Sequence, residues 1–296
     1  MQPSTRASVF AELAPVVDAP TAARWRRVLR GDVGRRASGR VGLLLVAIVF
    51  GAALFGPLLA PHDPFAISGG SLEPPSAGHL MGTDALGRDV LSGVLYGART
   101  SLFVACAVSL IALACGTTIG MLAGYRGGWI DDALMRATEL FQVIPRFFFA
   151  IVVIALFGPG LDRLVIVLGL TSWPIVARMT RGEVIALRDL DFIRAADALG
   201  TPASRIVRQH LLPNVLPTLG VALGLLFAQL LLLEATLGFL GLGDPGAISW
   251  GMMAAQAQGF LRVAWWLALF PGLAITFTVL GVNLLADAVS SSRAAK

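Results

Sequence analysis

The chain has 296 residues, of which 56% are hydrophobic and only 14% are charged. Soluble domains carry about 25% charged residues, and several stretches here run to about 20 residues with almost no charge, enough to cross the membrane as helices. This composition excludes a soluble protein. The net charge is +5, and Lys296 is the only lysine. A membrane surface explains this basic balance better than nucleic acid does, because cytoplasmic loops collect positive residues, so no nucleic-acid partner is expected.

The chain begins with an arginine-rich stretch, residues 1–40, that holds eight arginines. The apolar run Val41–Ala60 follows it. This run is long for the hydrophobic region of a signal peptide, and it does not end in a clear small-x-small cleavage site. We therefore predict a cytoplasmic tail over 1–40, then a segment 41–97 that comprises a retained first transmembrane helix and a polar periplasmic loop.

Five more apolar segments predict transmembrane helices in the rest of the chain. The predicted fold class is therefore all-α, a polytopic membrane protein with about six transmembrane helices. Its core spans residues 98–288 and includes a polar cytoplasmic loop at 178–214, and a cytoplasmic tail at 289–296 follows the core. The five predicted helices are Ser101–Gly124, Ala133–Phe157, Leu164–Ala177, Val215–Leu240 and Trp265–Ala286.

The distribution of arginine supports this topology. With the N-terminus in the cytoplasm, the inside segments hold the eight arginines of the tail and six more in the polar loop. The outside segments hold only Arg88, Arg99, Arg163 and Arg262. Cytoplasmic loops of membrane proteins show this excess of positive residues, so we predict that both termini lie in the cytoplasm.

Gly116, Gly120 and Gly124 recur at four-residue steps in the second predicted helix. Residues four apart share one face of a helix. Small residues on one face allow the backbone of another helix to approach closely in a membrane. We predict that this face packs against another helix.

The polar segment after the fourth predicted helix carries the signals of two short helices. Asp191 can cap the start of the first, and Gly200 stands where a helix ends in the left-handed conformation. Thr201 can cap the second, with Pro202 at its first position. Pro213 is predicted to stop the second helix.

Small side chains keep the first of these short helices slim. Ala195, Ala196 and Ala198 lie within it, and a slim helix can enter a groove on another protein. We predict that this segment docks on a partner from the cytoplasmic side.

Glu139, Arg146 and Glu234 are charged residues that lie within predicted transmembrane spans. An ionised group costs several kcal/mol there unless it is paired or hydrated, so each is a candidate for lining a solute pathway. Glu139 follows Arg136 by three residues and could instead pair with it. Arg146 could reach a carboxylate or extend to the membrane surface, and Glu234 could form a structural pair with a partner subunit.

The polar loop also resembles a known family. Arg194-Ala195-Ala196, then Gly200, then His210-Leu211-Leu212-Pro213 resembles the EAA loop of bacterial ABC importer permeases, with Arg194 in place of the family's glutamate. Other segments, in the same order along the chain, resemble the dipeptide/oligopeptide/nickel branch of that family. They are Met81–Val90, Tyr96–Arg99, Gly124–Asp131, Glu234–Gly243, Ser249–Gly251 and Phe270–Ile275.

The resemblance implies the type I ABC importer permease fold in the bacterial inner membrane, and a dipeptide "C"-type permease subunit that carries peptides or a similar small solute. It implies as partners a second permease subunit, two ATPase subunits that bind ATP and magnesium, and a periplasmic solute-binding protein. It also implies that the cytoplasmic loop couples this chain to the ATPase. The coupling residues are Asp191, Arg194, Ala195, Ala196, Asp197, Gly200, Arg205 and Pro213.

The main alternative is a secondary transporter or channel, but no inverted repeat with matched broken helices is evident. A phosphate-binding loop of the G-x-x-x-x-G-K-[ST] type is excluded because it needs an internal lysine, so no cofactor is expected in this chain. A membrane enzyme is also disfavoured. His62, His79 and His210 lie far apart in sequence and share no metal-ligand spacing, so no metal site is predicted.

Overall fold

The computed structural model describes the backbone of residues 37–294 and the side chains of 37–290. The predicted tail 1–40 lies almost wholly outside the described residues, as does the end of the tail 289–296. The described part of the chain consists of helices and connecting loops and contains no strand. This confirms the predicted all-α fold class.

The described residues contain ten α-helices, and a π-helical segment at Val207–Leu211 leads directly into the eighth helix. Three of them, α6, α7 and α9, are short. The helices are α1 Ala37–Leu59, α2 Val90–Arg126, α3 Gly128–Val143, α4 Arg146–Phe157, α5 Leu161–Arg188, α6 Asp191–Ala198, α7 Ala203–Ile206, α8 Leu212–Phe239, α9 Trp250–Ala257 and α10 Trp266–Ala294.

Five described helices are long and apolar enough to cross a membrane, and the bent pair α3–α4 can serve as a sixth span. The pair starts beside the C-terminal end of α2 and leads to the start of α5. There, the Leu161 backbone N–H donates to Asp244 Oδ2 (3.3 Å) in the loop after α8. The pair therefore connects the two ends of the bundle. This confirms the prediction of about six transmembrane helices.

The bundle has two distinct ends. The loop end holds residues 60–89 and 240–265, joined where the Trp266 indole donates to the Thr83 carbonyl oxygen (3.1 Å). The short-helix end holds residues 189–206, beside the ends of α2 and α5, where the Arg188 guanidinium donates to the carbonyl oxygen of Gly124 (3.1 Å). The start of α1 packs on the last part of α10, so the described chain begins and ends at the short-helix end.

Helices α2 and α5 pack tightly and run parallel. Gly116, Gly120 and Gly124 all face α5. A Cβ atom on Gly116 would lie 2.5 Å from the Cβ of Val176, and one on Gly120 would lie 2.6 Å from the Cβ of Thr180. Real Cβ contacts are longer than this, so a larger residue at either position would force the helices apart. The glycines therefore allow two long helices to pack backbone against backbone.

The prediction of one helix over Ala133–Phe157 is wrong. The chain forms two helices that are bent by 70° relative to each other. Ile144 is extended (φ −90°, ψ 119°), and Pro145 follows it as the residue that precedes α4. Proline disfavours the helical conformation in the residue before it, and it lacks the N–H that would continue the helix. The break places Arg146 at the start of α4.

Among the predicted boundaries, two differ most from the structure. Helix α2 begins at Val90 rather than Ser101, because the Asp89 side chain accepts a hydrogen bond from the Ser92 backbone N–H (2.8 Å) and caps it. Helix α5 continues past Ala177 to Arg188. Its last turns are amphipathic, with one face buried against the end of α2, so packing extends the helix beyond its apolar part.

Candidate functional site

The two short helices at the short-helix end are held by buried isoleucines. Ile193 of α6 and Ile206 of α7 lie in the same hydrophobic core as Met121 of α2 and Val184 of α5. Phe192 adds a contact with the ring of His210, at 6.2 Å between centroids. The two short helices are therefore packed onto the transmembrane bundle rather than extended away from it.

The joint between the short helices confirms the prediction for Gly200. Its φ is +76°, in the left-handed region. The backbone N–H of Thr201 donates to Ala196 O (3.1 Å), and that of Gly200 donates to Asp197 O (2.8 Å). These two hydrogen bonds form a Schellman motif, which closes the end of α6 and sets the direction in which the chain leaves it.

The predicted capping roles of Asp191, Thr201 and Pro202 are wrong. Asp191 lies in the first turn of α6, whose N-cap is Leu190 and has no side-chain capping bond. Pro202, not Thr201, is the N-cap of α7. Prolines at or just before the first turn cost no hydrogen bond, since the first backbone N–H groups of a helix have no partner within it.

Pro213 does not stop a helix. Val207–Leu211 adopts a π-helical turn, and Pro213 then occupies the first turn of α8. The wider π turn starts a new set of α-helical hydrogen bonds after itself, so the proline stands where its missing N–H is tolerated. As a result α7 continues into α8, and the short-helix segment is joined directly to a long membrane-spanning helix.

One side of the short helices is open to solvent. Ala196 packs partly against the core, while its neighbours present small, apolar or charged side chains outward, with Leu199 63% exposed. We call this the short-helix surface. It consists of Arg194, Ala195, Asp197, Ala198, Leu199 and Arg205.

Arg194 carries an ion pair within its own chain. Its Nη2 lies 3.4 Å from Asp189 Oδ1, and both side chains are largely exposed. Exposed pairs of this kind contribute little to stability. Arg194 is therefore available at the surface and is not held by a buried partner.

A cavity lies beside the break between α3 and α4, and we call it the kink cavity. Its volume is about 580 Å³, and it is lined by Pro145, Arg146, Phe147, Gln229, Leu232, Leu233 and Thr236. Arg146 Nη1 is buried and has no hydrogen-bond partner. The bend in the chain therefore places a cationic donor, together with an amide and a hydroxyl group of α8, around one open space at membrane depth.

The other two intramembrane charges lie elsewhere. Glu139 is exposed on α3, and within the described residues it forms no ion pair with Arg136. Glu234 is almost fully buried, with Ser101 and Ser249 beside its carboxyl group, and its Oε2 has no hydrogen-bond partner. Its place between α2, α8 and the start of α9 is inside this chain, which does not support the pathway-lining interpretation of Glu234.

The interpretation of the histidines as unrelated residues is wrong for two of them. The fold brings His62 and His79 together, with ring centroids 5.0 Å apart, next to Asp89. Burial alone would raise the pKa of the Asp89 carboxyl group, but hydrogen bonds from Ser92 and His79 and the charge of His62 lower it below its usual value. The sequence did not predict this cluster because the three residues lie in the irregular loop 60–89, where no helical or strand periodicity relates them.

A partly buried ion pair was also missed. Arg181 of α5 donates through Nε to Asp131 Oδ1 (2.5 Å) and through Nη2 to Asp131 Oδ2 (2.6 Å). The pair joins the start of α3 to the part of α5 that extends past the predicted span. Its members lie 50 positions apart, so sequence spacing offered no signal for it.

Comparison with protein families places residues 116–291, more than half of the chain, in the family described as "Binding-protein-dependent transport system inner membrane component". The matched segment runs from the glycines of α2 through the short-helix surface and the kink cavity to the end of α10. It therefore includes the short-helix surface, the kink cavity and the Asp131–Arg181 pair, but not the loop with the histidines.

Individual relatives agree over nearly the whole length. The "Dipeptide transport system permease protein DppC" of Alkalihalophilus pseudofirmus is 38% identical over 266 residues, 89% of this chain and 87% of that protein. The "Glutathione transport system permease protein GsiD" of Pectobacterium atrosepticum is 37% identical over 266 residues, 89% and 87% of the two chains.

Among solved structures, a chain of the MetNI methionine ABC transporter in an inward-facing conformation covers 70% of this chain with a TM-score of 0.57 and 22% identity, and 98% of that chain is matched. A chain of an amino acid ABC transporter with histidines covers 69% with a TM-score of 0.52. The fold is thus that of ABC importer permeases. On the family match and the identity of these relatives, the chain belongs to the inner membrane components of binding-protein-dependent transport systems.

Proposed function

We propose that this chain forms half of the translocation pathway of an ATP-driven importer of short peptides or similar small solutes. The dipeptide and glutathione permeases to which it is similar carry, by their names, solutes of this class. The excess of arginine in residues 1–40 and 178–214 supports a cytoplasmic location for the short-helix end and both termini. The loop end then faces the periplasm, where a solute-binding protein docks.

The observation that carries the proposal is the short-helix surface. Buried Ile193 and Ile206 hold the short helices on the bundle, while Leu199 and the small residues of α6 point outward. An exposed leucine beside alanines fits a groove on a partner. Because α7 runs through the π turn into α8, a movement of this surface is transmitted to a membrane-spanning helix. The partner is a separate ATPase subunit, which binds ATP and magnesium.

The pathway in this proposal passes the kink cavity. The exposed residues Leu225, Gln229, Leu232 and Thr236 form one stripe along α8. A second permease subunit would enclose the space in front of this stripe. Arg146 faces the same space with an unpartnered buried nitrogen. A guanidinium at membrane depth needs an anionic or polar partner, and the C-terminal carboxylate of a peptide is one.

Gly200→Val tests the coupling role. Gly200 has open space around it but a positive φ, so valine brings backbone strain without a clash. Gly241→Val is the matched control. Gly241 (φ +77°) closes α8 at the loop end with a Schellman motif of its own, and it too has open space. Both variants should lose about 1–2 kcal/mol or more of stability from the left-handed conformation.

We expect only Gly200→Val to separate ATP hydrolysis from solute uptake, or to release the ATPase from the complex. The measurement is peptide uptake and ATP hydrolysis by the complex reconstituted in liposomes with its binding protein. Equal uptake per ATP hydrolysed in wild type and Gly200→Val, at equal amounts of assembled complex, would rule out this surface as the coupling element.

A further inference from the structure

Three side chains converge at the loop end, from segments that are separate in the sequence. His62 lies just after α1, His79 lies within the loop, and Asp89 is the residue before α2. Their ligand atoms all lie within 4.8 Å of one another. The cluster thus connects the end of one membrane helix, the loop and the start of the next helix.

The spacing of the atoms suits a tetrahedral metal ion. His79 Nδ1 lies 3.0 Å from Asp89 Oδ1, and His62 Nδ1 lies 3.9 Å from Asp89 Oδ2. Ligand atoms at 2.0–2.1 Å from a tetrahedral zinc ion are about 3.3 Å apart. The two distances end on different oxygens of the Asp89 carboxylate and lie on either side of that value, so rotation of the carboxylate and of the rings would bring one atom of each residue to a common centre.

His62 has an unused ligand atom. Its Nδ1 is buried and has no hydrogen-bond partner, although the Asp89 carboxylate is close by. A buried polar atom without a partner is costly, and a bound cation would satisfy it. The side chain of His62 is 34% exposed while that of Asp89 is fully buried. The site is therefore closed on the Asp89 side and open to the surface on the His62 side.

Hydrogen bonds already orient the three residues. Asp89 Oδ2 accepts from the backbone N–H and the hydroxyl of Ser92 (2.8 and 2.7 Å). The His62 backbone N–H donates to the same Ser92 hydroxyl (3.2 Å), and that of His79 donates to the Ser76 hydroxyl (3.2 Å). Metal sites depend on such bonds to hold their ligands in place. None of these four bonds uses an imidazole nitrogen, whereas the hydrogen bond between His79 Nδ1 and Asp89 Oδ1 (3.0 Å) is exchanged for coordination to the ion when the metal binds.

We propose that His62, His79 and Asp89 bind a zinc ion, or a similar late first-row divalent cation, with water as the fourth ligand. Two imidazoles and one carboxylate suit zinc, whereas calcium and magnesium prefer oxygen ligands alone. Each neutral imidazole keeps its single proton at Nε2 when Nδ1 binds the metal. The ion fastens the loop between α1 and α2, so it stabilises the periplasmic face of the permease whichever solute is carried.

The experiment uses the full chain without a histidine tag, purified in detergent, stripped with a chelator and dialysed against zinc. We expect one zinc ion per chain by mass spectrometry of the metal, and the visible spectrum of tetrahedral Co²⁺ when cobalt replaces zinc. His62→Ala removes a ligand and leaves the Asp89–Ser92 cap in place. Loss of an orienting partner costs 10–100-fold in affinity, so loss of a ligand should cost about 100-fold or more.

His210→Ala is the matched control, because His210 lies near α6 and far from the cluster. This variant should retain one zinc ion per chain. Zinc should also raise the melting temperature of wild type and His210→Ala but not of His62→Ala, since a ligand stabilises only a state that binds it. A wild type that retains no zinc would overturn the proposal, as would equal zinc contents in wild type and a folded His62→Ala variant.

Discussion

The two ends of this molecule use the same local motif in opposite surroundings. A leucine followed by a left-handed glycine closes α6 at the short-helix end and α8 at the loop end, as Leu199-Gly200 and Leu240-Gly241. At the loop end, polar groups form hydrogen bonds between segments that are distant in the sequence. The Trp250 indole donates to Val94 O (2.9 Å).

At the short-helix end the corresponding connections are fewer. Two isoleucines anchor the short helices, and the side that faces away from the bundle carries exposed apolar and charged side chains. The difference teaches that the motif itself does not determine its role. Hydrogen bonds within the chain hold the segments of the loop end together, whereas the short-helix end exposes a structured surface. Substitutions should therefore lower stability most at the loop end and lower coupling most at the short-helix end.

The largest effect on stability is expected for Trp250→Ala. Trp250 is 1% exposed and is among the largest fully buried side chains of the described residues. Its loss leaves a cavity and removes the bond to Val94, at a cost of about 3–5 kcal/mol. Trp129→Ala is the control, because Trp129 is 79% exposed and its loss should change stability by about 0.5 kcal/mol or less. Melting in detergent followed by circular dichroism measures both, and equal shifts would contradict a closed loop end.

A smaller effect on stability, but a large one on assembly, is expected for Leu199→Asp. Leu199 is 63% exposed, so the substitution should change the stability of the chain by about 0.5 kcal/mol or less. In the proposed complex it would place a carboxylate in an apolar groove, which should weaken ATPase binding by about tenfold. Leu240→Asp is the counterpart at the loop end, where the leucine is 52% exposed.

The amount of ATPase that copurifies with each variant measures this prediction. We expect normal recovery with Leu240→Asp and reduced recovery with Leu199→Asp. Equal recovery from both would mean that the short-helix surface is not the docking site, and that its exposure carries no more meaning than that of Leu240.

The smallest effect is expected for Arg194→Glu, which introduces the glutamate of the EAA loop that this segment resembles. The exposed pair with Asp189 contributes about 0–1 kcal/mol, so stability should change little. The new glutamate would stand beside Asp189 and would face a partner surface suited to arginine, so coupling should weaken at low salt. High salt should reduce the difference, because exposed charges are screened. Uptake per ATP hydrolysed, compared at both salt concentrations, measures it. An unchanged ratio at low salt would show that Arg194 does not contact the ATPase.

The sequence by itself determined the class of fold and the existence of the short helices. Apolar runs of membrane length and the bias of arginine are properties of local composition, and they predicted about six spans. The glycine at position 200 predicted a left-handed backbone conformation there, because only glycine adopts this conformation without strain. The small residues at Gly116, Gly120 and Gly124 predicted a close helix contact, although not that its partner is α5.

The tertiary structure decided what depends on neighbours distant in sequence. Pro145 breaks a span while Pro174 lies within the continuous helix α5, where it is buried among packed side chains. A proline weakens any helix by the same lost hydrogen bond, so the packing around it determines whether the helix bends. The burial of Glu234 and the proximity of His62 to Asp89 likewise depend on which segments meet in space. No local period in the sequence encodes that meeting.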